Sequence, residues 1–155
     1  MVEEKMEIKC KRLKTAELSQ SDGVLRDAAV NAANRAYSPY SHFNVGAAVL
    51  LHDGTVVEGN NQENISYPSG LCAERVALFA AGATFPDKPV ETIAIVAIKN
   101  GVIQSTISPC GGCCQVILET EKRYGLPVRI LLCGQEETII VASAHSLLPF
   151  SFTEI

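Results

Sequence analysis

The chain has 155 residues, 47% hydrophobic and 19% charged, with a net charge of −4. That suits one compact domain with a substantial core and a small soluble metabolite as partner. It excludes a nucleic-acid binder, since no basic stretch tracks phosphates, and a membrane protein, since no apolar run approaches the roughly 20 residues that span a bilayer.

The N-terminal "MVEEKMEIKCKRLKTAELSQS" is charged and has no apolar signal-peptide core, so a cytoplasmic location is expected. Residues 1–20 read as an extension of uncertain order, and residues 21–155 as one domain. A helix is expected to start at Ser21 or Asp22, both good N-caps. Leu25, Ala28, Ala29, Ala32 and Ala36 recur at helical spacing and form a small apolar face. Pro39 in "YSPYSHF" cannot continue that helix.

"VGAAVLL" reads as a strand, Asp53-Gly54 as a hairpin turn, and "TVVEG" as the returning strand. "NNQENISYPSG" is a polar loop, and "LCAERVALFAAG" a buried helix expected to end at Gly82 as its C′ glycine. "ETIAIVAI" is nearly continuous in apolar residues, as in a strand covered on both faces. "CGGCCQVILETEKRYG" reads as a helix closed by Gly125, "VRILLC" and "ETIIVAS" as two more strands, and "SAHSLLP" as a short final helix. The order predicts an α/β fold, a three-layer α-β-α sandwich around one mixed five-stranded sheet.

Four of the six cysteines fall in "CAER" and "PCGGCC", each at the start of an expected helix. In a reducing compartment such clusters read as metal or redox chemistry before disulfides. Helix starts stabilise thiolates through unpaired N–H groups and the helix dipole. Cys110 and Cys113 are three apart, so their sulfurs can share one ion, and Cys72 supplies a third. Three protein ligands leave a tetrahedral zinc one open position, as in catalytic sites. Glu74 turns away from Cys72 along a regular helix, yet at the helix end its carboxylate can lean over that open position and shuttle a proton. Spacing alone leaves structural zinc and a redox dithiol as alternatives, and Glu74 then becomes a solvated helix residue. Cys10 reads as an incidental thiol and Cys133 as a core residue; His52 and His145 read as surface residues.

"CAER … PCGGC" resembles the zinc-deaminase signature. With "YSPYSHFNVGAAV" and "GNNQENISYPSGLCAER" before it, the chain is similar to the small homotetrameric cytidine deaminases from about Asp22 to Phe152. The resemblance implies one zinc per chain on Cys72, Cys110 and Cys113, with Glu74 as proton shuttle. It implies ribose contacts from Asn61 and Glu63, an aromatic wall from Phe43, and a hydrogen bond from the Ala73 N–H to the base carbonyl. Phe152 would reach a neighbouring subunit's site in a homotetramer, with Tyr67 at a subunit contact. The implied reaction is hydrolytic deamination of cytidine and 2′-deoxycytidine, a step of pyrimidine salvage carried out by a hydrolase acting on a cyclic amidine C–N bond. A deaminase of another aminopyrimidine nucleoside, such as an antibiotic, and a non-catalytic zinc-stabilised fold are the other readings. The family usually places an arginine after the second CxxC cysteine, where this chain has Cys114; Arg75 is then the remaining donor to offset the charge of three thiolates.

Overall fold

A computed structural model describes residues 1–153; residues 154–155, the end of the expected domain, lie outside the described ones. One mixed sheet carries the fold. Its strands are β1 (Cys10–Lys14), β2 (Phe43–Leu51), β3 (Val56–Asn60), β4 (Val90–Lys99), β5 (Val102–Ile103), β6 (Arg129–Cys133) and β7 (Glu137–Val141). The spatial order is β1-β7-β6-β4-β2-β3, with β5 paired to β4. Three helices flank it: α1 (Gln20–Ala33), α2 (Ala73–Thr84) and α3 (Gly111–Tyr124). The expected three-layer sandwich on a mixed sheet is therefore present. The sheet has seven strands rather than five because β1 and β5 join it.

The two faces of the sheet are sorted by the period-2 alternation of strands. Ile93 and Ile95 of β4, Ala47 and Val49 of β2, and Ile130 and Leu132 of β6 pack under Ala77, Leu78, Ile117 and Leu118 of α2 and α3. Their neighbours Ala94, Val96, Ala48 and Leu131 pack instead under Leu25, Ala29 and Ala33 of α1. This double coverage explains why "ETIAIVAI" is apolar without interruption. The pair β4–β6 is parallel, joined through the α3 crossover, whereas β2–β3 is the antiparallel hairpin turned at Asp53-Gly54. Gly54 has φ +88° there, and the Thr55 amide donates to Asp53 Oδ1 at 3.0 Å.

Two glycines set how closely the helices approach. A Cβ on Gly46 would lie 2.0 Å from the Ala29 carbonyl oxygen, and one on Gly59 would lie 2.4 Å from the Ala77 amide nitrogen. The α1 and α2 backbones thus rest against the β2–β3 hairpin at places where no side chain fits.

Three boundaries differ from expectation. Ser19, not Ser21 or Asp22, caps α1, its hydroxyl accepting from the Asp22 amide at 3.2 Å. Asp22 is instead buried in a two-pronged ion pair with Arg129 at 2.6 and 2.7 Å. Gly82 does not end α2, which continues to Thr84 and is capped at Phe85. Gly82 is a packing position: a Cβ there would meet the Arg123 guanidinium at 3.1 Å. Gly125 does close α3, with φ +66°. Finally, residues 10–14, inside the N-terminal extension, form β1 and run antiparallel to β7.

Candidate active site

Cys72 is the N-cap of α2 and Cys110 the N-cap of α3, as the sequence predicts. The Cys113 amide donates to Cys110 Sγ at 3.4 Å, an unpaired helix-start N–H meeting a sulfur. The sulfurs of Cys72, Cys110 and Cys113 all lie within 4.8 Å of one another, and Cys72 and Cys110 are 4.0 Å apart. A tetrahedron with Zn–S bonds of about 2.3 Å has edges of about 3.8 Å, so the three thiols fit one zinc ion. The set is graded in exposure: Cys113 is buried, Cys72 half-buried and Cys110 exposed.

Burial and the nearby Glu74 carboxylate raise the Cys113 thiol well above its ordinary range. For Cys110, burial works in the same direction, but N–H and S–H donation from Cys113 outweighs it and leaves Cys110 lowered. Arg75 Nη2 donates to Cys72 Sγ at 3.5 Å, which holds the guanidinium charge beside the sulfurs. That contact raises the Arg75 pKa. Among the described residues, Arg75 Nε is buried without a hydrogen-bond partner.

Cys114 takes no part in the cluster. It is buried, and its thiol turns to the Pro109 carbonyl oxygen at 3.6 Å. A cysteine that follows a ligand on a helix points about 100° away from it.

Glu74 is 4% exposed and sits on the first turn of α2. Desolvation raises its carboxyl pKa, partly opposed by hydrogen bonds from its own amide and the Cys113 thiol. The Glu74 carboxylate and the Cys113 thiol each shift the other's pKa, so the carboxylate lies within electrostatic reach of the cluster. Ala73 is the first residue of α2, so its N–H has no acceptor within the helix.

A cleft of about 450 Å³ opens from Cys72 and Arg75 past Tyr67 to Asn61 and Glu63. Asn61 is clamped to the start of β2: its Oδ1 accepts from the Val45 amide at 2.7 Å and its Nδ2 donates to the Phe43 carbonyl at 2.9 Å. Glu63 Oε2 accepts from the Tyr40 and Ser41 amides at 2.9 and 3.2 Å, and its Oε1 accepts from the Ser41 hydroxyl. The Ser41 hydroxyl is the largest cause of the lowered Glu63 pKa. Phe43 is half-buried where β2 begins. Tyr40, which the sequence did not single out, meets Tyr67 edge-on at 6.3 Å.

Phe152 is not gathered into this cleft. It is 71% exposed and lies along α3, where Gln115 Nε2 and Lys122 Nζ donate to the carbonyls of residues 152 and 153 at 2.8 and 2.7 Å. Tyr67 is also exposed, at 77%. Cys133 is core, Cys10 is exposed, and His52 and His145 are exposed. Sequence reasoning passed over Ser41 and Glu121. Glu121 is buried and accepts from the Val128 and Ala144 amides at 2.9 Å each and from the Ser143 hydroxyl. Ser41 had a legible signal, a serine two residues before a strand start, where its hydroxyl can accept from the main chain. Glu121 had none, since two of its three partners, the Ser143 hydroxyl and the Ala144 amide, come from a loop far along the chain.

The family described as "Cytidine and deoxycytidylate deaminase zinc-binding region" matches residues 19–124. Among similar proteins, a cytidine deaminase of Halalkalibacterium halodurans is 37% identical over 125 residues, 81% of this chain and 89% of that one. The crystal structure of cytidine deaminase from Burkholderia pseudomallei superimposes with a TM-score of 0.70 at 37% identity, covering 87% of this chain and 100% of that chain. Cytidine deaminase from Mycobacterium tuberculosis gives 0.69 at 34% identity, with 88% and 100% covered. The thiols converging on two helix starts lie within the matched region, and the fold around them is shared; the chain belongs to the family of zinc-binding cytidine and deoxycytidylate deaminases.

Proposed function

We propose that this chain hydrolyses the C4–N bond of cytidine and 2′-deoxycytidine, giving uridine or 2′-deoxyuridine and ammonia. The observation that carries the reading is the buried Glu74 carboxylate at the cluster of Cys72, Cys110 and Cys113. Cys72, Cys110 and Cys113 would hold the zinc ion, which would supply a Lewis acid able to make water nucleophilic near neutral pH. Glu74 takes a proton from the attacking water, places it on N3 of the base, and passes the second to the amino group leaving C4. Water's oxygen stays on C4 and its two hydrogens end on N3 and on ammonia. The Ala73 N–H holds the base carbonyl, and Phe43 covers the ring. Asn61 takes a ribose hydroxyl through the lone pair and N–H left over from its clamp on β2, and Glu63 through lone pairs left over from its bonds to Tyr40 and Ser41. Arg75 offsets the excess negative charge of the thiolates.

Residues 21–155 act as one catalytic domain, with β1 of the 1–20 segment added to its sheet edge. The protein works as a homotetramer, in which Phe152 covers a neighbour's cleft and Tyr67 lies at a contact between copies. The exposure of both side chains supports this placement. No helix among the described residues is long and apolar enough to cross a membrane. A cytoplasmic setting fits a site that needs three reduced thiols.

Ultraviolet absorbance loss on a panel of aminopyrimidine nucleosides, their 5′-monophosphates and free bases tests the reading. Cytidine and 2′-deoxycytidine should have the highest kcat/KM. The monophosphate should be poor because the cleft offers the Glu63 carboxylate and one cation, Arg75, already turned to sulfur. Preference for a modified nucleoside, or no turnover in zinc-replete protein, would overturn the assignment.

A further inference from the structure

Two hydroxyls knit the turn between α1 and β2: Ser38 donates to the Asn44 side chain, and Ser41 ties the turn to Glu63. Ser41 Oγ donates to Glu63 Oε1 and accepts from the Phe43 amide at 3.0 Å. The same carboxylate takes the Tyr40 and Ser41 amides on its other oxygen. Between Ser41 and Phe43 the chain passes through His42 at φ +53°, a left-handed conformation uncommon outside glycine but one of the few that histidine takes up readily. The His42 amide is tied to the Ser38 carbonyl at 3.0 Å. Phe43 is fixed at its carbonyl as well, by Asn61. Giving its proton to a carboxylate makes the Ser41 oxygen a better acceptor, so the two hydrogen bonds strengthen one another.

We propose that Ser41 is a positioning residue for substrate selection, coupling the acid that takes the ribose to the aromatic residue that covers the base. The inference rests on the roles given above to Glu63 and Phe43. Ser41 touches neither the reacting atoms nor the thiols. Its hydroxyl fixes the rotamer of Glu63, so the carboxylate presents its remaining lone pairs in one direction. The same hydroxyl sets the main chain of Phe43. A ribose lacking its hydroxyls has nothing to gain from that ordering.

The test compares cytidine with 2′,3′-dideoxycytidine, which keeps the base, its reaction and the 5′-hydroxyl but removes the 2′- and 3′-hydroxyls. In zinc-loaded Ser41→Ala, KM for cytidine should rise about tenfold, the effect of losing one charge-assisted hydrogen bond, with kcat held within about threefold. The preference for cytidine over the dideoxynucleoside should fall by a similar factor. Ser41→Thr, which keeps the hydroxyl, should restore the preference. Melting temperature and zinc content are read alongside, and Ser41→Thr carries the comparison if the alanine variant folds poorly. Glu63→Ala is the control. If Glu63→Ala abolishes the preference while Ser41→Ala leaves it intact, or if Ser41→Ala weakens both substrates equally, Ser41 has no selective role. If Glu63→Ala itself leaves the preference intact, the ribose role of Glu63 fails and this inference falls with it.

Discussion

The buried Glu74 carboxylate and Cys113 thiol influence one another, yet the roles proposed for them, proton transfer and metal binding, can be separated by mutation. Glu74→Gln keeps shape and hydrogen-bonding reach but cannot carry a proton. It should retain zinc and fold while kcat falls by about 10²–10⁴-fold, the usual contribution of a positioned acid–base group. Near-normal turnover with full zinc content would remove Glu74 from the reaction. Arg75 and Cys114 make the complementary pair. Arg75 donates to a ligand sulfur, so Arg75→Gln should release zinc to a competing chelator several-fold more readily, on the order of tenfold, as loss of a supporting partner usually does. Cys114 faces Pro109, so Cys114→Ser should leave chelator competition unchanged. Zinc loss in Cys114→Ser would mean that the fourth thiol reaches the metal.

Among secondary-structure elements, the strands and helices were legible wherever pattern and partner are local. "ETIAIVAI", the Asp53-Gly54 hairpin and the Gly125 stop each announce themselves within a few residues. Gly82 misled because a glycine late in a helix reads as a cap when its real constraint, the Arg123 guanidinium, comes from another helix. β1 was hidden for a related reason. "CKRLK" has little apolar alternation, and it is a strand only because β7 offers a free edge. The three zinc-binding thiols were legible in spacing, whereas the clamp of Asn61 on β2 needed coordinates. Gly46 tests the close α1 approach. Gly46→Ala drives a methyl group into main-chain atoms of Ala29 and Ala33, which cannot swing aside, so unfolding should cost at least about 3 kcal/mol less, measured by urea denaturation. A loss below about 1 kcal/mol would show that α1 slides freely on the sheet. The Asp22–Arg129 pair ties α1 to β6 on the same face. The Arg129 guanidinium holds the Asp22 carboxyl below its usual range against the opposing effect of burial. Its contribution is therefore complete above the ordinary aspartate pKa and is lost as pH falls through the lowered value. Asp22→Asn should leave the slope of the stability profile unchanged near neutral pH and flatten it only below the ordinary aspartate value, about 3.9. An unchanged profile would mean that other carboxylates dominate acid unfolding.

For the whole molecule, the exposed position of Phe152 is the main guide. Its ring is exposed along α3, while the cleft is lined by the loop from Asn61 to Leu71 and the start of α2. Light scattering at assay concentration should give four chains per particle, and Phe152→Ala should raise KM for cytidine about tenfold, the scale of one buried aromatic contact. A fully active monomer would contradict the shared cleft. The way the tail is fastened has a consequence of its own. Gln115 and Lys122 grip main-chain carbonyls at 152 and 153, not side chains. The fastening is blind to which amino acid stands at position 152. Address and cargo are thus separate: a lineage can exchange the aromatic ring for another side chain, and so retune what it presses against, without re-routing the segment that delivers it.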